Sequence, residues 1–269
     1  MNLLRMFKRQ RAPAAKFPEG RVGFAVGDIH GRADLLAEML ALLESRALDE
    51  RRVGGEAIVV FLGDYVDRGP NSAAVIDLLV AGRPRGFERR FLRGNHEQAM
   101  LGFIEAPLEN RAWVKHGGAE TLVSYGVQPP SPMGAADHDL IDAAARLKGA
   151  LPPQHFDFLN NLERYVELGG YAFVHAGIDP ERPLNQQTDR DLFWSRGPFL
   201  LGKRGFSHRI VHGHTPEQRP FADQRRIGVD TGAYASGVLS AARFEVGAVS
   251  FLSVSNPGGG HFSTPRDQF

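Results

Sequence analysis

The sequence predicts an α/β fold that becomes strand-rich in its second half. Three observations carry this. Between Arg21 and Met100, apolar runs of strand length alternate with longer stretches whose apolar residues repeat at helical spacing. Beyond Tyr171 the apolar runs are short and closely spaced. Asp, Asn and His recur directly after those runs, where an α/β sheet collects its ligands.

In chain order, RVGFAVGD from Arg21 reads as a buried strand. The following ADLLAEMLALLESRAL sets Leu35, Leu36, Met39, Leu40 and Leu43 on one helical face. The pattern repeats in EAIVVFLG and SAAVIDLLVAG, where Val75, Ile76, Leu79 and Val80 share a face and Ser72 is placed to cap the helix. FERRFLRG supplies a third strand, leading into NHEQAM. Strands alternating with helices in this way imply a parallel βαβαβ core.

Residues 105–165 read as a helical insertion, with helical stretches at Ile141–Leu147 and His155–Leu162 broken by Pro129, Pro130, Pro132, Pro152 and Pro153. YAFVHAG, RIVHGHT, RRIGVDTG, SGVLSAARF and AVSFLSVS then read as strands, and their short spacing predicts antiparallel pairing. The expected organisation is a basic flexible tail over 1–20, one domain over 21–255, and a flexible tail over 256–269. The first tail holds Arg5, Lys8, Arg9, Arg11 and Lys16; charges interrupt its apolar residues, as a secretory signal would not allow.

Composition narrows the chemistry. There is no cysteine, which excludes disulfides, thiolate metal sites and cysteine nucleophiles, so any metal must sit on oxygen and nitrogen. A net charge of +1 from 32 basic and 31 acidic residues gives no global field toward nucleic acid, and no apolar run would span a bilayer. Expected from this are a cytoplasmic location and neither a nucleic-acid nor a membrane partner.

The candidate site is positional. Asp28 and His30, Asp64 and Asp67, and Asn95 and His96 each follow a predicted strand, and His175 and either His212 or His214 repeat the placement. In a parallel sheet these positions share one edge, so residues distant in sequence converge.

The motifs GDIHG (27–31), GDYVDRG (63–69), RGNHE (93–97), HAG (175–177) and GHT (213–215) resemble the phosphoprotein phosphatase family of the calcineurin-like metallophosphoesterase superfamily, nearest in type to small bacterial Ser/Thr phosphatases. The resemblance runs in order from Arg21 to about Phe251. It implies a four-layer αββα sandwich of two mixed sheets flanked by helices. It also implies two divalent metal ions: Asp28 and His30 on the first, Asp64 bridging, and Asn95, His175 and His214 on the second. Carboxylate, imidazole and amide donors suit Mn²⁺, Fe or Zn²⁺, and family practice puts Mn²⁺ first. A metal-bridging hydroxide would attack phosphorus in line.

By the same resemblance His96 is the general acid, oriented and kept protonated by Asp67. Arg68 would fork onto the phosphate, Arg196 in LFWSRGPF would be a second phosphate arginine, and the Asn95 amide nitrogen could reach a phosphate oxygen. His212 and His214 point the same way if RIVHGHT stays extended; the match to GHT selects His214. Asp230 and Thr231 are expected as scaffold.

The implied activity is hydrolysis of phosphate monoesters, first of all phosphoserine or phosphothreonine in proteins. The alternative is dinucleoside polyphosphate hydrolysis; one branch of those enzymes carries glutamine where this chain has His30. A phosphodiesterase or nuclease would call for histidine where Pro216 stands, and an inactive binding protein for missing ligands. Trp113, Lys115 and His116 are candidate rim residues in the insertion, and a monomer is expected.

Overall fold

The computed structural model describes residues 15–52, 56–131, 134–202 and 205–256. Most of the expected 1–20 and 256–269 tails lies outside these residues. From Ala15 the chain is packed: Phe17 is buried, stacked on Phe244 with ring centroids 5.7 Å apart and tilted against Tyr171 at 6.2 Å.

Two five-stranded sheets face each other. In the first, β1 (Arg21–Val26), β2 (Glu56–Phe61) and β3 (Glu88–Phe91) pair in parallel, as the βαβαβ pattern predicts. The antiparallel pair β9 (Val238–Glu245) and β10 (Ala248–Ser255) extends the sheet beyond β1, in the order β10-β9-β1-β2-β3. The crossovers are α1 (Ala33–Arg52) and α2 (Ser72–Val80).

The second sheet has the order β4-β5-β6-β8-β7, built from β4 (Val166–Leu168), β5 (Tyr171–Phe173), β6 (Arg209–His212), β7 (Phe221–Ala222) and β8 (Arg226–Gly228). Here the expected antiparallel pairing is corrected: β5–β6 and β6–β8 are parallel, and the outer pairs β4–β5 and β7–β8 are antiparallel. Parallel neighbours need a crossover of roughly a dozen residues or more. The segments from Val174 to His208 and from Gly213 to Arg225 are long enough to provide it.

Strand alternation explains the layers. In β2, Ile58 and Val60 join the core between the sheets, while Val59 and Phe61 join the core beneath α1 and α2. Both faces are therefore apolar, as in other covered parallel sheets. On the far side of the second sheet, Ala172, Val174 and Ile210 pack with Leu192, Phe193 and Phe199 of α7 (Asp189–Trp194) and α8 (Gly197–Leu201). The order helices, sheet, sheet, helices is the expected αββα sandwich.

After β3 comes α3 (Asn95–Glu105), and the 105–165 segment forms a kinked turn at Val114–Gly118, α4 (Ala119–Ser124), α5 (Asp137–Ala150) and α6 (Pro153–Asn160). Their apolar faces continue the core of α1 and α2. A polar staple joins them to α2: the Tyr125 hydroxyl lies 2.9 Å from His155 Nδ1, and His155 Nε2 lies 2.9 Å from Asp77 Oδ1. The cap of α2 also differs from expectation. Asn71 caps it, accepting the Ala74 N–H at 3.1 Å, whereas Ser72 is buried and its Oγ accepts the Asp67 N–H at 3.0 Å.

Candidate metal centre

The parallel strands β1, β2, β3, β5, β6 and β8 bring their carboxyl ends to one rim, and each following loop carries polar residues. The backbone there is tightly folded. His30, Asp64, Asp67, Arg68 and His214 have φ between 46° and 74°, the left-handed region that non-glycine residues rarely occupy. Holding such a residue costs on the order of 1–3 kcal/mol, so neighbouring contacts must determine the conformation. They do: the N–H groups of Ile29 and His30 both donate to Asp64 O, and Gly31 N–H donates to Tyr65 O.

Asp64 stands at the centre. Its Oδ2 lies 3.5 Å from His30 Nε2 and 3.4 Å from His175 Nε2, and its Oδ1 accepts the His96 N–H at 3.1 Å. Asn95 Oδ1 lies 2.9 Å from both His175 Nε2 and His214 Nδ1, and Asp28 Oδ2 accepts the His214 N–H at 3.0 Å. All six residues expected to hold metal are buried together here.

These donors fit divalent cations. His30 Nδ1 donates to Val66 O at 2.9 Å and His175 Nδ1 to Leu62 O at 2.8 Å, so each ring, when neutral, turns a bare Nε2 toward Asp64. Bare imidazole nitrogen facing carboxylate and amide oxygen sets acceptor against acceptor, which a shared cation satisfies. Asp28 Oδ1 is buried with no hydrogen-bond partner. Two close groups of potential ligand atoms result, His30/Asp64/His96 and Asp64/His175/His214, each within 4.8 Å, with Asp64 in both. The backbone admits the carboxylates where side chains would exclude them: a Cβ on Gly94 would lie 2.1 Å from Asp64 Oδ1, and one on Gly213 2.1 Å from Asp28 Oδ1.

The electrostatics are those of a crowded carboxylate site. Burial, followed by Asp230 and Asp64, holds Asp28 well above the usual carboxylate range. Burial works the same way on Asp64, but His175, His96 and His30 override it and hold Asp64 well below. Burial and His96 lower His30, and burial and His175 hold His214 far below the usual imidazole value. For His96 and His175, burial is outweighed by the charge of Asp64 and by hydrogen bonds to carboxylate, so both are raised. Burial and Asp64 push Asp230 up to about 6 against a hydrogen bond from Gly232 N–H.

The expected acid pair is in contact, with His96 Nδ1 2.7 Å from Asp67 Oδ2. Arg68 Nη1 donates to the Tyr234 hydroxyl at 3.0 Å, and Arg196 Nε donates to His214 Nε2 at 3.2 Å, which brings both arginines to the site. His212 and His214 do not point alike. β6 ends at His212, whose Nε2 accepts from Arg226 Nη1 at 3.1 Å, and the left-handed His214 then turns its ring toward Asn95. Asp230 and Thr231 are buried close by; Thr231 Oγ1 donates to Val238 O at 2.8 Å.

Four residues at the site were given no such role by sequence. Glu97 is fully buried and accepts from the N–H groups of Asp64, Tyr65, Val66 and Gly94. Burial and Asp64 push it up to about 7, although those donors favour its charged form. Its position at the third residue of a helix start was the available signal. Trp113, expected on the rim, is instead buried, and its Nε1 donates to Asp67 Oδ2 at 2.8 Å; Lys115 and His116 are exposed. Thr121 Oγ1 donates to Asp67 Oδ1 at 2.7 Å. Tyr234 faces Arg68 and lies edge-on to His30 at 5.3 Å. For Thr121 and Tyr234 the sequence offered no local pattern.

A four-layer sandwich whose strand ends gather buried carboxylate, imidazole and amide donors defines a metal-dependent phosphoester hydrolase. The chain belongs to the calcineurin-like phosphoesterase family, whose model matches residues 24–250. Among its relatives is the bis(5'-nucleosyl)-tetraphosphatase PrpE (asymmetrical) of Geobacillus thermodenitrificans, 28% identical over 238 residues, covering 81% of this chain and 89% of the relative. Serine/threonine-protein phosphatase 1 of Salmonella typhimurium is 28% identical over 228 residues, covering 82% and 91%. A crystal structure described as a candidate diadenosine tetraphosphatase shares the fold with a TM-score of 0.60 at 20% identity, over 90% of this chain and 99% of that one. Among the described residues no helix is long and apolar enough to cross a membrane.

Proposed function

We propose that this chain hydrolyses phosphoesters at a two-metal site, with Asp28, His30 and Asp64 on one ion and Asp64, Asn95, His175 and His214 on the other. The carrying observation is Asp64 Oδ2, set between the Nε2 atoms of His30 and His175, whose Nδ1 atoms are already used on backbone carbonyls. Mn²⁺ remains the first expectation, with Fe or Zn²⁺ compatible with the same donors. When bound, the ions would acidify a shared water and neutralise charge on the phosphoryl oxygens.

The protein's own groups supply the rest. His96 donates a proton from Nε2 to the leaving oxygen, because Asp67 engages its Nδ1 and raises the share of charged imidazole. Arg68 offers a planar fork to the phosphate, braced by the Tyr234 hydroxyl. Arg196 offers a second cation from its place beside His214, and the Asn95 amide nitrogen can donate while its oxygen faces His175 and His214.

For the substrate, the relatives move the preference from phosphoproteins to dinucleoside polyphosphates, since several of similar identity are named bis(5'-nucleosyl)-tetraphosphatases. One feature of the chain agrees. Trp194, two residues before Arg196, is 48% exposed, and its Nε1 donates to Gln98 Oε1 at 2.8 Å, which holds an indole face in solvent for a base to stack on. Phosphoserine or phosphothreonine hydrolysis is the second reading, favoured by the Salmonella relative. The test is turnover by metal-reconstituted protein on dinucleoside polyphosphates beside a phosphopeptide panel, with His96→Asn as control. Preferential nucleotide turnover supports the first reading; phosphopeptide-only turnover reverses it.

A further inference from the structure

The carboxylate of Asp67 is held from the insertion as well as by His96. Its Oδ2 lies 2.7 Å from His96 Nδ1 and takes the Trp113 Nε1–H at 2.8 Å, while Oδ1 takes the Thr121 hydroxyl at 2.7 Å. The Thr121 hydroxyl in turn accepts the Asp67 N–H at 2.9 Å. Asp67, Trp113 and Thr121 are all buried, so water cannot replace a lost donor at little cost. Indole nitrogen donates only. It therefore fixes which Asp67 lone pairs remain for His96, and with them the plane of the imidazole.

The turn carrying Trp113 is shaped for this contact. The chain kinks between two helical turns over Val114–Gly118, with His116 (φ −96°, ψ 24°) and Gly117 (φ 110°, ψ −2°) off helical geometry. A Cβ on Gly117 would lie 2.7 Å from the Arg68 backbone N, and Gly117 O accepts that N–H at 3.1 Å. A Cβ on Gly118 would lie 2.5 Å from the Trp113 ring, which on another side meets Phe103 with centroids 4.8 Å apart. The kink meets the Asp67–Arg68 backbone and sets the Trp113 indole against Asp67 a few residues away.

Resting on the reading of His96 as proton donor, we propose that Trp113 is a positioning residue for proton delivery. Through the shared Asp67 oxygen it fixes the direction in which His96 presents Nε2 to the leaving group. Proton transfer to a leaving oxygen depends on that direction, whereas substrate binding and metal retention do not. A leaving group stable without a proton depends on it least.

The test uses the full metal-reconstituted chain with an alkyl phosphate, whose leaving group needs a proton, and p-nitrophenyl phosphate, whose leaving group needs it far less. Trp113→Phe keeps an aromatic ring and removes the indole N–H. Expected are a loss in kcat of roughly tenfold or more on the alkyl phosphate, a much smaller loss on p-nitrophenyl phosphate, unchanged KM and unchanged metal content. Gly118→Ala is the second variant, because it displaces the ring and leaves the donor in place; it should show the same substrate-dependent loss, and it decides the matter if Trp113→Phe does not fold. Equal losses on both substrates, or losses confined to KM, overturn the proposal. His96→Asn separates the two levels. If it shows the leaving-group dependence and the Trp113 and Gly118 variants do not, the positioning role alone fails; if it shows none, the assignment of His96 as the acid fails and this inference falls with it.

Discussion

Glu97 Oε2 accepts the backbone N–H of Asp64 at 2.9 Å, and this bond ties the start of α3 to the loop that holds the centre of the site. The same carboxylate takes the N–H groups of Tyr65, Val66 and Gly94, so one buried side chain organises two loops from separate strands. Glu97→Gln would turn an amide N–H₂ toward backbone donors and leave at least one of them unmatched. The expected loss is about 3 kcal/mol in chemical denaturation without metal, with weaker metal binding besides. A variant as stable as the parent would show that the loop geometry does not depend on this carboxylate.

Asp64 belongs to both groups of potential ligand atoms. Asp64→Asn should therefore lower retention of both metals together after dialysis, measured by elemental analysis. His30→Ala should affect one ion more than the other. Full occupancy of both sites in Asp64→Asn would contradict the bridging role.

The legibility of this chain followed the locality of its signals. The βαβαβ start and the convergence of Asp28, Asp64, Asn95 and His175 could be read because each of these residues follows an apolar run, and parallel strand ends meet by topology. The four-layer sandwich and the choice of His214 over His212 came instead from the family resemblance of the motifs. Strand direction in the second sheet lies in the spacing and not in the shortness of β5, β6 and β8: the segments Val174 to His208 and Gly213 to Arg225 have crossover length, which outweighs the antiparallel expectation that short strands suggest. Trp113 and Thr121 were hidden for another reason: their partner Asp67 lies 46 and 54 residues away, and no periodicity encodes such a contact. Ser72 looked like a cap because its type suits one, but the buried Asp67 N–H claims its hydroxyl and leaves Asn71 to cap α2.

The exposed indole of Trp194 gives the nucleotide reading a direct consequence. Stacking of a base on an aromatic ring is worth about 1–3 kcal/mol. Trp194→Ala should raise KM for a dinucleoside polyphosphate by roughly tenfold and leave KM for p-nitrophenyl phosphate unchanged. Equal effects on the two substrates would remove the stacking role. A matching loss on phosphopeptides alone would favour the second reading.

His212, outside the proposed ligand set, gives a pH dependence in which burial is the largest cause and the charge of His175 a lesser one. The ring is buried, its Nε2 accepts from Arg226 Nη1, and burial lowers the imidazole to about 4 from its ordinary 6.5. Below pH 6.5 the unfolded chain takes up a proton at this residue that the folded chain refuses. Stability from the neutral ring is thus fully present above pH 6.5 and is lost as pH falls toward 4. A shift from 6.5 to about 4 corresponds to about 3 kcal/mol over that window. Other lowered histidines, His30 and His214, contribute in the same direction. They are present in both parent and His212→Gln, so the comparison isolates His212 to the extent that the sites act independently. Denaturation in the presence of a chelator at pH 7 and at pH 4.5 should show the parent losing about 2–3 kcal/mol more than His212→Gln, although the variant is the less stable protein at pH 7. Parallel losses in the two proteins would mean that His212 takes up its proton in the folded state, in which case Arg226 must give up its bond to the ring.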